Sequence, residues 1–73
     1  MSDDAIRAGF LDLMDRCGVP YTAAAAMAGV SPTTIRFMVV GGVVPGRRVV
    51  RDALTRFLDT NRNARSRTDL RMP

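Results

Sequence analysis

The sequence contains no histidine, no glutamate and no lysine, and it has one cysteine, Cys17. A lone thiol forms no internal disulfide, and without histidine there is no set of soft ligands from which to build a zinc site. No metal and no cofactor are expected, and a reducing, cytoplasmic compartment fits this usage. Aspartate is the only usual general base left near neutral pH, and Ser31 has no partner for a nucleophilic pair, so no enzyme is expected. Nothing points to a small-molecule ligand. No apolar run approaches the ~20 residues that span a bilayer, and the N-terminus is acidic where a signal peptide is basic. The expectation is a soluble, unprocessed protein with no membrane partner. There is no convincing strand, no internal repeat and no low-complexity stretch beyond a run of alanines. At 73 residues the chain makes a single domain at most. A core of that size supplies roughly 3–5 kcal/mol, which leaves room for stabilisation by a partner or a homodimer interface.

What the sequence does contain is uneven charge. Hydrophobic residues make up 47% of the chain, enough for a folded core. The formal charge is +4, yet residues 1 to 30 carry four aspartates against two arginines, and residues 31 to 73 carry nine arginines against three aspartates. The cationic surface therefore belongs to the C-terminal part. With a pI near 11.0, this is the electrostatic footprint of a protein that neutralises phosphates; the alternative is a solvated basic face.

Helical periodicity appears first at Ile6, Phe10, Leu13, Met14 and Cys17, which form one stripe of a helix over Asp3 to Cys17. Ser2 stands at its N-cap, Asp3 and Asp4 complement the macrodipole, and Gly18 is the stop. After Val19 and Pro20, Thr22 reads as the cap of a short second helix from Ala23 to Ala28, ended by Gly29. Ser31 reads as the cap of a third, about Pro32 to Val40, with Pro32 at the tolerated first position and Gly41 and Gly42 beyond. From Arg47 an amphipathic pattern resumes: Val50, Ala53, Leu54, Phe57 and Leu58 lie on one side, and Arg48, Arg51, Asp52, Thr55, Arg56 and Asp59 on the other. Beyond Thr60 the chain is polar, basic and aperiodic. The organisation expected is a domain over residues 1–60 and a basic, mobile tail over 61–73.

Two short helices joined through Gly29, Val30 and Ser31 have the spacing of a helix-turn-helix, in which one helix braces another laid in the major groove. The bracing helix must be small where the two cross, and Ala25 sits four residues before the turn glycine. Gly29 supplies a positive φ. Val30 plugs the turn, Ile35 and Met38 point inward from the third helix, and Ala24 and Ala28 complete the inner surface.

On these residues, the segment from Tyr21 to Val40 resembles the helix-turn-helix of the Cro and lambda-repressor family of phage and bacterial regulators. The preceding helix and the Gly41 to Pro45 loop leading to a fourth helix extend the resemblance over residues 3 to 60. It implies an all-α, lambda-repressor-like domain of four helices, or at most five. It further implies a transcriptional regulator that binds double-stranded operator DNA as a homodimer and acts in the cytoplasm of a bacterial host as a Cro-like repressor. The chain departs from the family pattern in two respects: the family commonly has a polar residue such as glutamine near Thr22 and more polar residues late in the third helix, where this chain has Phe37, Val39 and Val40, and the tail after Thr60 has no obvious dimerisation strand or helix.

Carried onto this sequence, the outward positions of the third helix are Pro32, Thr33, Arg36, Phe37 and Val40, with Ser31 and Thr34 near the cap. Arg36 is the principal candidate for a base contact, gripping guanine O6 and N7 together; the alternative is a phosphate contact. Thr33 offers a hydroxyl or methyl to a base, or is a surface threonine. Phe37 either rests on a thymine methyl or belongs to the core or an interface. Thr22 and the amides around it are placed for a phosphate. Arg47 and Arg48 oppose the macrodipole at the start of the fourth helix, a local conflict that a phosphate contact would resolve and that solvation would also permit.

Two other readings stand beside this one. An excisionase-type recombination factor, related to MerR-like winged helices, shares the Tyr21-Thr22 start, the Ala24 to Ala26 run and the Gly42 to Pro45 loop, but its wing needs strands for which there is no room. A protein-binding module such as an antitoxin or adaptor would use Val39, Val40, Val43 and Val44 as an apolar patch, and its affinity would be insensitive to salt.

Overall fold

The computed structural model describes residues 1–73 and is all-helical, with four α-helices and no strand: α1 Asp3–Cys17, α2 Tyr21–Ala28, α3 Pro32–Val39 and α4 Arg48–Thr60. Ser2 opens α1, its hydroxyl accepting from the amide of Ala5 at 3.2 Å. Gly18 closes α1 at φ 64°. The amide of Val19 then returns to the Met14 carbonyl at 3.1 Å, which satisfies an orphan acceptor of the last turn.

The helix starts differ from expectation at three places. Pro20, extended at φ −74° and ψ 162°, is the N-cap of α2, so the helix begins at Tyr21 and Thr22 lies inside its first turn rather than capping it. The proline ring is compatible with an extended N-cap whose carbonyl accepts the first helical bond, here from Ala24 at 3.1 Å. Ser31 occupies the N-cap position of α3, but its side chain makes no capping bond. Arg47 is the N-cap of α4, and the helix proper starts at Arg48.

The core forms where α1 lies on α4 and α2 on α3, with α4 also reaching α2 and α1 reaching α3. Phe10 and Phe57 meet at its centre, with ring centroids 6.1 Å apart and planes tilted by 43°. Ile6, Leu13, Ile35, Met38 and Leu54 surround them, all fully buried. Each such side chain contributes about 1.5–3 kcal/mol relative to leaving it in water. The radius of gyration is 10.7 Å, close to the ~11 Å expected for a globule of this length.

The C-terminal segment folds back instead of forming the mobile tail the sequence suggests. Ala64 and Leu70 are buried in the same core cluster as Cys17, and a single 3-10 turn forms at Arg67–Asp69. Its anchor is Asn61, only 2% exposed. The Asn61 amide nitrogen donates to the carbonyls of Phe57 and Arg71, each at 2.9 Å, and its oxygen accepts from the Arg71 amide at 2.7 Å. Arg16 adds bonds to the carbonyls of Ala64 and Arg62. Arg51, expected on the solvent side of α4, is half-buried: it pairs with Asp3 and donates to the Pro45 carbonyl at 3.3 Å.

Candidate nucleic-acid interface

Alanine governs how α2 and α3 meet. Ala25 is 0% exposed and Ala24 and Ala28 are buried, while Ala26 on the other side faces solvent. Gly29 turns the chain at φ 75°, and the Val30 amide closes the turn on the Ala25 carbonyl at 3.0 Å. Val30 packs against the core. Ile35 and Met38, both fully buried, then fix the rotation of α3 about its axis. With that rotation set, Ser31, Pro32, Thr33, Arg36, Phe37 and Val40 are exposed and Thr34 is half-buried.

Thr33, Arg36, Phe37 and Val40, at i, i+3, i+4 and i+7, make one outward stripe. Together with Gly41 they line a shallow depression of about 340 Å³ in which no carboxylate takes part. Phe37 is 61% exposed and Val40 73%. This resolves the position of Phe37: it is not a core residue. Thr22, Arg47 and Arg48 lie outside the depression, at the exposed starts of α2 and α4.

The C-terminal end of α3 is held from outside. The Arg7 guanidinium, on α1, donates to the carbonyls of Met38 at 2.9 Å and Val39 at 3.2 Å. Gly42, at φ 73°, lets the chain reverse so that the amide of Val43 reaches the Phe37 carbonyl at 3.0 Å. Gly41 lies against the same carbonyl, where an added Cβ would stand 2.9 Å from the oxygen. Sequence reasoning missed Arg7; its one signal is a position flanking the apolar stripe of α1, three residues before Phe10.

The charge along this stretch of the chain is one-sided, although Arg16 and Arg51 pair with Asp12 and Asp3 from outside it. Between Asp15 and Asp52 the chain has no acidic residue, while Arg16, Arg36, Arg47, Arg48 and Arg51 fall in the same interval. The side chains of Arg36 and Arg47 make no ion pair and no hydrogen bond within the chain, and Arg48 has only a loose approach to Asp52 at 3.9 Å. The helix starts follow the same division. Whereas α1 has Ser2 and two aspartates at its N-terminus, α2, α3 and α4 have neither a side-chain cap nor an acid in the first turn. Their first amides keep the partial positive charge that an anion compensates.

A larger depression, about 540 Å³, lies between α1 and α4. Its charges are balanced: Asp12 pairs with Arg16 at 2.8 Å, and Asp59 pairs with Arg62. It holds no unpaired buried polar atom, and its one hydroxyl, Thr55, has neither histidine nor cysteine beside it. The α3 stripe is therefore the candidate site. Comparison of the chain with family models, with curated proteins and with solved structures finds no match.

Proposed function

We propose that the protein is a sequence-specific double-stranded DNA-binding regulator of transcription, a Cro-like repressor that occupies operator DNA in the cytoplasm of a bacterial host. The observation that carries this reading is the outward stripe of α3, an unpaired arginine on a braced helix within an acid-free half of the chain. Such a helix enters the major groove, where Arg36 finds guanine O6 and N7 and Thr33 meets a neighbouring base. The first-turn amides of α2, with Thr22, and the start of α4, with Arg47 and Arg48, take phosphates on either side. Ser31, Pro32 and Thr34 bring the start of α3 close to the duplex. The wing of an excisionase-type factor requires strands, and the chain forms none.

A second reading, a protein-binding module, is favoured by the exposure of Val40 and Val43 beside Phe37. Equilibrium binding of a labelled duplex by the wild type, Arg36→Ala and Arg47→Ala across a salt series separates the two. A DNA reader loses discrimination between sequences in Arg36→Ala, by about 1–3 kcal/mol. Arg47→Ala weakens all sequences alike and lowers the salt slope by about 1. Absence of duplex binding at low salt would leave the protein-binding module.

A further inference from the structure

The chain has three phenylalanines. Two of them, Phe10 and Phe57, are wholly buried, whereas Phe37 stands 61% exposed on α3. It is not isolated there: Val40 is 73% exposed, and the two line the same depression as Arg36 and Thr33. The outward face of α3 is therefore mixed, cationic at Arg36 and apolar over the turn that follows. An occupant must accept both characters on a strip about 10 Å long, the rise from Thr33 to Val40, or about three base-pair steps.

The major groove meets both requirements. Its phosphates complement a depression that contains Arg36 and to which no carboxylate contributes. Its edges carry one projecting apolar group, the 5-methyl of thymine; the groups beside it are hydrogen-bond donors and acceptors and flat ring C–H. A phenyl ring laid over the amino group of adenine or cytosine would remove that donor from water without replacing its partner, while a ring or isopropyl group over a 5-methyl buries apolar surface on both sides. Both effects act in the same direction.

Resting on the reading of the protein as a DNA binder, we infer that the α3 stripe recognises a guanine next to 5-methylpyrimidines. Arg36 holds guanine, and Phe37 and Val40 pack on the 5-methyl groups of thymines within the adjoining base pairs. Phe37 and Val40 are thus specificity-determining residues for a methyl group, and the site reads 5-methylcytosine as it reads thymine at those positions.

The test removes the methyl and nothing else. Duplexes selected by the wild-type protein from a random pool are amplified again with deoxyuridine in place of thymidine. Deoxyuridine at one contacted position lowers wild-type affinity about fourfold, the effect of one buried methyl. Phe37→Ala loses that sensitivity at one position and Val40→Ala at another, while both keep the guanine preference that Arg36→Ala abolishes. Cytosine at a contacted position is restored by 5-methylcytosine. Both side chains are exposed, so the variants keep the wild-type thermal melt. Unchanged wild-type affinity after complete replacement by deoxyuridine would overturn this inference and leave DNA recognition standing. Failure to select any duplex would remove both. Full DNA affinity in Phe37→Ala together with loss of a wild-type self-association would make the patch a protein interface instead.

Discussion

Arg7 caps the helix it does not belong to: its Nε donates to the Met38 carbonyl at 2.9 Å, across 31 positions of sequence. A helix C-terminus leaves its last carbonyls unpaired and carries a partial negative charge, so a guanidinium there satisfies acceptors and the macrodipole together. Because Met38 is buried and Phe37 is its outward neighbour, this bond fixes the end of the stripe proposed to read DNA.

Replacing Arg7 by alanine is expected to cost about 2 kcal/mol, the range for a hydrogen bond to a charged group. The loss should be local as well as global. Hydrogen exchange at Gly41 and Gly42 should speed up more than at the centre of α1, and Arg7→Lys, which keeps the charge without the planar fork, should recover part of the stability. Uniform loss of protection along the chain would contradict this role.

Asn61 closes the C-terminal segment with three hydrogen bonds from a buried amide. Asn61→Ala leaves the backbone of Arg71 unpaired and should cost about 1–3 kcal/mol. The exposed residues Arg65 and Arg67 should then become early sites of trypsin cleavage. Burial holds the Cys17 thiol above its ordinary pKa, against the lowering influence of Arg16. Cys17 should therefore react slowly with thiol reagents in the wild type and faster in Asn61→Ala, since Ala64 and Leu70 share its cluster.

The consecutive alanines of α2 are not equivalent. Ala25→Val adds volume where α2 meets α3 and should cost about 1–3 kcal/mol. Ala26→Leu, on the exposed side, should change stability by less than about 0.5 kcal/mol. Thermal melts of the two variants check this, and equal melts would contradict the packing of α2 on α3.

Asp69 is held below its ordinary pKa of 3.8, first by the Arg65 amide, which donates to its carboxylate at 3.0 Å, against a smaller opposing effect of partial desolvation. A depressed carboxyl contributes stability above its unfolded value and loses it as pH falls through the folded one. The Arg65 amide should therefore lose exchange protection below the ordinary aspartate range, and Asp69→Asn should abolish that pH dependence. The carboxylate is fully exposed, so the global melt should hardly move.

Much of this architecture is legible in the chain because its signals are local. Ser2 and Gly18 bracket α1 within one turn of its ends, and Ala25, Gly29, Ile35 and Met38 carry the geometry of α2 and α3 at fixed spacing. What escapes are contacts between distant residues. Arg7 looks like one more surface arginine until α3 is folded beside it. Asn61 meets Arg71 through a segment with no periodicity, in which Ala64 and Leu70 alone enter the core, so pattern reading takes it for a solvated tail. The start of α2 is missed for a third reason: Thr22 has the chemistry of a cap, but Pro20 already occupies the extended position that a cap requires. The outward face of α3 follows from the inward one, since burying Ile35 and Met38 leaves Arg36 and Phe37 no other direction.

The most direct test of the central claim is selection of random duplexes by the purified protein at two salt concentrations, followed by sequencing. The account predicts an enriched site whose affinity falls steeply with salt, with half-sites about one helical turn apart if two copies bind, and loss of the enriched guanine when Arg36→Ala is used. No enrichment and no binding at low salt would contradict it.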